Sequence, residues 1–336
     1  MNCELSQAQI DQYRSQGFLL IENFFTPEEI NEFKEATNRA VQRRVEAVQA
    51  GIQSGAVKKT MGDRFRAPLK ALLGQKGIDR LRNGLRKVLG KKLMPIGFSG
   101  ALNSNQGNPE SYYAKVYTQC IGLAKEEESI RKMILDPRVG KVAATLAGVK
   151  GIRMYHDQAL YKQAYGNPTA WHLDNPFWSF HSHQAMTMWV ALEDATTNNG
   201  CMNYIPGSHL KANHEKNLSI GDNFAGLFKL YPDWLKIDPV SVPCKAGSVA
   251  FHNGLTAHGA GVNITNKPRK AYAVAFMPDG SVFNGIKDVL PSDYFKSLKV
   301  GDVLNDPQVH PLVWKDESSR PAASSSAAAK PIPVGA

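Results

Sequence analysis

Apolar positions change their spacing partway along the chain. From residue 5 to 47 the pattern reads helix, strand, helix: Leu5-Ser6 begins a polar helical stretch, Gly17-Phe18-Leu19-Leu20-Ile21 is a short apolar strand, and Thr26-Pro27-Glu28-Glu29 opens a second helix. That opening has the form of a capping box, with Thr26 at the N-cap, Pro27 in the first helical position and Glu29 two further on. From about 48 to 108 the chain is basic and interrupted by glycine. One amphipathic segment stands out there, with Ile78, Leu81, Leu85, Val88 and Leu89 on one helical face, weakened by Gly84 and Gly90. A further helical region is read from Tyr112-Tyr113 to about Ala147.

From Gly151 onward the spacing shifts to short apolar or alternating runs separated by turns. Met154 to Tyr161, Trp171 to Asp174, Ala185 to Leu192, Cys201 to Ile205, Ser248 to Phe251 and Ala271 to Phe276 are the strand candidates. Asn199-Gly200 reads as a hairpin turn, and Ala246-Gly247 as a turn before a strand. Many short strands joined by such turns predict a sandwich or jelly roll, mainly β with flanking helices. Residues 318–336 are Ser, Ala and Pro with little to bury, which predicts a disordered tail. The expected organisation is one domain over 1–317, carrying a helical basic insert at about 48–108, and the tail.

Composition narrows the class. With 336 residues, 43% of them hydrophobic, the chain can bury a sizeable core. Cys3, Cys120, Cys201 and Cys244 are far apart, so neither a disulfide framework nor a zinc knuckle is indicated and reduced thiols are expected. The N-terminus lacks a basic segment followed by an apolar run, and no apolar stretch approaches the roughly eighteen residues of a membrane span. No membrane partner and a cytoplasmic location are expected. The sequence carries no signal for an oligomeric state.

The formal charge is +10, and fifteen Lys or Arg between Arg39 and Lys92 stand against Glu46, Asp63 and Asp79. The excess therefore sits in the insert, which reads either as a solvated helical face or as a lid that attracts anions. Phe65 alone interrupts these bases with an aromatic ring, which argues against a nucleic-acid platform.

The chemistry starts at Trp171-His172-Leu173-Asp174. On a β-strand, residues two apart share a face, so His172 and Asp174 can aim at one ion while Leu173 faces away. A His-x-Asp pair alone is weak evidence, but His258 downstream is available as a third ligand. Two imidazoles and one carboxylate form the facial set that suits non-haem Fe(II) and leaves three positions open. None of the seven other histidines, His156, His181, His183, His209, His214, His252 and His310, has a carboxylate two residues away. The acids adjacent to His156 and His214 would point to the opposite face of a strand.

His172-Leu173-Asp174, then Asn199-Gly200-Cys201 with Pro206-Gly207-Ser208-His209, then His258 with Arg269 eleven residues on, together resemble the phytanoyl-CoA dioxygenase family. The stretches Gln16 to Phe25 and Leu135-Asp136-Pro137-Arg138-Val139 resemble the family too. The resemblance implies a double-stranded β-helix (cupin-like) core and an Fe(II)- and 2-oxoglutarate-dependent oxygenase that consumes O2. It further implies that His172, Asp174 and His258 hold the iron and that Arg269 binds the distal carboxylate of 2-oxoglutarate. Trp189, Lys115 and Gln158 are implied as additional co-substrate contacts. Asn175, Phe177, Trp178, Phe180, His181 and His183, just after the first ligands, are implied to line the substrate pocket, a mix suited to an apolar body with an anionic end.

Because Asp174 is an acid and not the Gly or Ala of halogenating relatives, hydroxylation is expected by default, with desaturation or oxidative cyclisation as variants. The substrate expected is a small, anionic metabolite. The insert departs from the minimal family pattern in length and charge, so an acyl-CoA substrate is not carried over. Two alternatives come from other classes: a catalytically silent ligand-binding member, which would lose a metal ligand or the Arg, and a nucleic-acid binder, which would show steep salt dependence.

Overall fold

The computed structural model describes residues 1–53 and 117–316, apart from residues 219 and 222. Two antiparallel sheets face each other. In the seven-stranded sheet β1 (Phe18–Ile21), β8 (Val249–Asn253), β5 (Met186–Ala191), β10 (Arg269–Pro278) and β3 (Gly151–Lys162) lie side by side in that order. Both β2 (Tyr117–Ile121) and β11 (Leu312–Lys315) then pair with β3, at opposite ends of it. The four-stranded sheet runs β4 (Thr169–His172), β9 (His258–Ala260), β6 (Met202–Tyr204), β7 (Val240–Val242). This is the jelly-roll, double-stranded β-helix architecture expected from the sequence.

Period-two alternation assigns each residue of the long strands to one layer. The outward set, which includes Tyr161, Tyr272, Val274, Met188, Val190 and Phe251, packs against α1 (Gln7–Gln16), α2 (Pro27–Gln53), α3 (Glu128–Ile134) and α4 (Pro137–Ala147). The inward set meets the smaller sheet. There Ala191, Ala250, Ala271 and Ala273 are small, and Trp189 packs with Met202 and Tyr204 from across the sandwich. Small inner residues leave volume between the sheets for long polar side chains, and Lys162 and Arg269 are both fully buried.

The helix starts follow the sequence. Thr26 N donates to Glu29 Oε2 at 2.9 Å and Glu29 N to Thr26 Oγ1 at 3.2 Å, which closes the capping box of α2. Six strands, β1, β4, β6, β7, β9 and β11, have three or four residues each, and of these β7, β9 and β11 are not among the strands expected from the sequence.

Two expectations are corrected. The stretch expected to be helical from Tyr112 to Ala147 contains β2: Tyr117–Ile121 pairs with β3, Gly122 at φ 76° ends the strand, Leu123–Lys125 form a 3₁₀ turn, and α-helix begins only at Glu128, as α3. Asn199-Gly200 is not a hairpin, because β5 and β6 belong to different sheets. It forms the corner between them, where Cys201 N donates to Thr196 O at 2.9 Å and Gly200 sits at φ 89°. A Cβ on Gly200 would lie 2.7 Å from Gly261 O and 2.7 Å from Lys162 Cδ, so backbone conformation and space both demand glycine.

Residues 54–116, which include most of the basic insert expected at about 48–108, lie outside the described residues, as does the tail from 317. The first charges of the basic region sit on α2, where Arg39 and Arg43 pair with Glu127 and Arg44 with Glu126. Among the described residues no helix is long and apolar enough to cross a membrane, and all four cysteines are free thiols.

Candidate active site

The smaller sheet sets two imidazoles side by side. His172 ends β4, His258 begins β9, and the two are cross-strand partners with ring centroids 4.1 Å apart. Each ring is fixed through Nδ1, which donates to the carbonyl oxygen two residues earlier: Ala170 at 2.8 Å for His172 and Thr256 at 2.9 Å for His258. With those protons on Nδ1, both Nε2 lone pairs are free to bind a metal.

Asp174 arrives by a different route from the one the His-x-Asp spacing suggested. The strand stops at His172, and Asp174 precedes a 3₁₀ turn, Asn175–Phe177, with φ −84° and ψ −56°. The shared-strand-face argument is therefore corrected. Pairing of β4 with β9 ends at the two histidines, and the amides of Asp174 and Asn175 instead donate to Gly254 O at 3.0 and 2.9 Å, swinging the carboxylate round. Leu173 does face away, buried with Trp171, Ile205 and Trp234.

Asp174 Oδ1 lies 3.5 Å from His172 Nε2 and 3.6 Å from His258 Nε2, and the three ligand atoms fall within 4.8 Å of one another. Donors that each reach a divalent ion at about 2.0–2.2 Å stand roughly 3 Å apart when adjacent, so a small contraction of this cluster accommodates an ion. The other carboxylate oxygen is occupied. Thr187 Oγ1 donates to Oδ2 at 2.8 Å, and His252 Nε2 lies 3.3 Å from it. His252 Nδ1 in turn is 3.1 Å from the Tyr204 hydroxyl, an arrangement in which Tyr204 donates to Nδ1 and Nε2 donates to Asp174. Burial alone would raise the Asp174 carboxyl, but His258, His172 and His252 around it hold it well below the usual carboxylate range. Burial, reinforced by His172, pushes His258 well down and keeps it neutral. The site thus offers a carboxylate and two imidazole nitrogens, the donor set that suits Fe(II) in a facial arrangement.

Arg269 opens β10 and is 1% exposed, with its guanidinium 5.0 Å from the centre of the Trp189 ring. Its Nε and Nη1 are buried without a hydrogen-bond partner among the described residues. Such orphaned donors are costly unless a ligand satisfies them. Burial pulls the Arg269 guanidinium down from its usual range, and the neighbouring Tyr117 hydroxyl partly offsets this. β5 links the two ends of the site: Thr187 touches Asp174, while Trp189, two residues on and on the same face, touches Arg269. That repeat spans about 7 Å, on the scale of a short dicarboxylate.

The other sequence-based candidates divide. Gln158 is half-buried in the inner row of Trp189 and Ala273, its Oε1 taking the Gln119 amide at 2.6 Å. Lys115 lies outside the described residues. Asn175 is fully buried, and its amide holds its own loop through Phe180 O, Ser182 N and His214 Nε2. Trp178 is packed with Tyr155 and Phe180, Phe177 is half-buried, and His181 and His183 are exposed around His214.

Sequence reasoning passed over Thr187, His252, Tyr204 and Lys162. Thr187 had a usable signal, since it shares a strand face with Trp189. His156, aligned across the sheet with Thr187 through Ala275, also reaches this layer; burial lowers it to about 4, against the pull of Asp174. It lines a cleft of about 340 Å³ together with Tyr155, Lys125 and Lys287.

The sequence profile described as Phytanoyl-CoA dioxygenase (PhyH) matches residues 13–271. The chain belongs to the phytanoyl-CoA dioxygenase family. It is 22% identical over 270 residues to a phytanoyl-CoA dioxygenase of Arabidopsis thaliana, an alignment covering 80% of this chain and 88% of that one. Among solved structures it is similar to the non-haem alpha-ketoglutarate-dependent carbocyclase SnoK from nogalamycin biosynthesis, with a TM-score of 0.62 and 22% identity over 92% of this chain and 96% of that one. EctD from S. alaskensis, solved with 2-oxoglutarate and 5-hydroxyectoine, superposes with a TM-score of 0.55 at 16% identity over 89% and 86% of the two chains. As a member of the phytanoyl-CoA dioxygenase family, this protein is an Fe(II)- and 2-oxoglutarate-dependent oxygenase that uses dioxygen.

Proposed function

We propose that His172, Asp174 and His258 hold Fe(II), that Arg269 binds the distal carboxylate of 2-oxoglutarate, and that the enzyme oxidises a small, anionic metabolite. Hydroxylation is the default outcome, with release of succinate and CO2. The observation that carries this reading is the convergence of the two Nε2 atoms and Asp174 Oδ1 within 4.8 Å, with both Nδ1 atoms tied to backbone. Iron bound there supplies the redox chemistry that couples decarboxylation of the 2-oxo acid to substrate oxidation.

The remaining steps belong to the chain itself. Thr187 and His252 hold Asp174 Oδ2 so that only Oδ1 is presented to the metal, which keeps positions open for the co-substrate and dioxygen. Trp189 stacks on the Arg269 guanidinium and holds its fork rigid, so a carboxylate meets preorganised donors in a site shielded from water. An acid at position 174 favours hydroxylation over halogenation. Desaturation and ring closure stay within reach of the same site, since SnoK is a carbocyclase.

An anionic substrate is supported by the cleft beside His156, where Lys125 and Lys287 stand without a carboxylate partner among the described residues while Arg44 is paired with Glu126. Small-molecule chemistry agrees with EctD, whose structure holds 5-hydroxyectoine. A cytoplasmic location belongs to the same proposal and rests on the four free thiols. The test is a metabolite screen with the Fe(II)-loaded protein, scored by succinate release. Stimulation by an anionic compound supports the reading. Stimulation confined to neutral or cationic compounds would overturn the substrate class, and absence of any 2-oxoglutarate turnover would overturn the whole.

A further inference from the structure

Lys162 and Arg269 stand directly opposite one another on β3 and β10, at 0% and 1% exposure. Among the described residues Lys162 Nζ has only neutral acceptors, Asn167 O at 2.8 Å and Thr169 Oγ1 at 3.2 Å, and it lies 5.0 Å from the centre of the Tyr117 ring. Tyr117 itself contacts Thr169 through its hydroxyl. Across the strand pair, Arg269 keeps two buried N–H groups without a partner among the described residues. Among the described residues neither cation has an ion pair with a carboxylate. Among the described residues the other titratable groups facing this pocket are the Tyr117 hydroxyl and the Cys201 and Cys244 thiols, all pushed up by burial and therefore neutral. The aliphatic stem of Lys162 is pinned by Gly200, where a Cβ would come within 2.7 Å of Cδ.

Two like charges facing each other in a dry pocket destabilise the empty protein unless one is discharged or an anion joins them. We propose that Lys162 is a second binding residue for the distal carboxylate of 2-oxoglutarate, and that it takes up one proton from solvent as the co-substrate enters. This rests on the co-substrate reading above. The exchange is simple: the neutral amine of Lys162 accepts a proton from buffer, becomes an ammonium, and donates a charge-assisted hydrogen bond to the carboxylate that Arg269 also holds. In the empty pocket, burial and then the Arg269 charge bring Lys162 down to about 7, so it is already discharged in mildly alkaline solution. An arriving carboxylate reverses the balance. A lysine kept only to satisfy Asn167 and Thr169 would titrate alike with and without the co-substrate and take up nothing on binding.

The experiment is calorimetric titration of 2-oxoglutarate into the full chain, loaded anaerobically with Fe(II), in pairs of buffers with different ionisation enthalpies. From a value of about 7 in the empty pocket, uptake per bound ligand should be about 0.1 proton at pH 6 and about 0.9 at pH 8. Lys162→Met should lose this pH-dependent uptake and weaken 2-oxoglutarate binding ~10-fold or more at pH 7, with Fe(II) affinity unchanged. Lys162→Arg, charged at every pH, should bind without uptake. Uptake near zero at pH 8 in the wild type, or wild-type uptake and affinity in Lys162→Met, would overturn the assignment. If Lys162→Met does not fold, the wild-type pH series decides. A wild-type protein that binds no 2-oxoglutarate removes the underlying co-substrate reading, a failure distinct from binding without proton uptake.

Discussion

His252 Nε2 lies 3.3 Å from Asp174 Oδ2, and the two residues come from opposite sides of the sandwich: His252 from β8 of the larger sheet, Asp174 from the turn after β4 of the smaller one. The clamp fixes which carboxylate oxygen is left for a metal. His252→Ala should therefore weaken Fe(II) binding ~10–100-fold, the usual effect of removing an outer partner of a metal ligand. The fold should survive. Anaerobic Fe(II) titration followed by circular dichroism checks this, and unchanged affinity would mean that Thr187 alone orients Asp174.

Arg269→Ala should raise KM for 2-oxoglutarate far more than it lowers kcat. Loss of a charge-assisted, partly buried pair costs about 2–5 kcal/mol, which is some thirtyfold or more in affinity. Steady-state kinetics with varied 2-oxoglutarate make the comparison. An unchanged KM would hand the carboxylate to another base, with Lys115 and Lys162 first in line.

Stability should carry the mark of Lys162. Its folded value, about 7, lies below the ordinary lysine value of about 10.4, so between those pH values the unfolded chain binds the extra proton and apo-protein stability rises with pH. Below about 7 the penalty of a buried ammonium is fully present. Lys162→Met should thus raise the apo Tm most near pH 6, by about 2–4 °C for each kcal/mol relieved, and the gain over wild type should shrink toward pH 10. Thermal melts of both proteins across that range test the sign. A gain that grows with pH would contradict it.

Much of this was legible in the sequence, for physical reasons that also mark where legibility stopped. His172, Asp174, His258 and Arg269 are set by short-range spacing and by a family pattern, and the structure brings the first three together. The spacing argument for Asp174 nonetheless used the wrong local geometry. A turn whose amides bond to Gly254 depends on a residue eighty positions away, which no local pattern encodes. The Asn199-Gly200 corner looked like a hairpin because φ above zero is the same requirement in both, and only the sheet order separates them. His252 was set aside for lacking a nearby acid in sequence, yet its acid comes from across the sandwich. Lys162 ends an inner row on β3 that runs through His156, Gln158 and Leu160, and its burial follows from small residues around it, Ala271 on the neighbouring strand and Gly200 at the corner before β6.

The basic stretch from Arg39 to Lys92 is expected to serve substrate capture, since its charge lies outside every strand that carries a candidate ligand. Neutralising Arg80, Arg82, Arg86 and Lys87 together should lower kcat/KM for an anionic substrate, and more at low than at high ionic strength. Fe(II) binding should stay as in the wild type. Equal kcat/KM at low salt would make those residues an ordinary solvated face, and salt-sensitive nucleic-acid binding lost in the same variant would favour the binding alternative.

The account stands or falls on whether His172, Asp174 and His258 together chelate iron beside 2-oxoglutarate. Anaerobic addition of Fe(II) and then 2-oxoglutarate to the wild-type protein should produce the weak visible charge-transfer absorption of the chelated 2-oxo acid, and Asp174→Ala and His258→Ala, folded by circular dichroism, should not. A band of wild-type strength in either variant, or none in the wild type, would contradict the assignment.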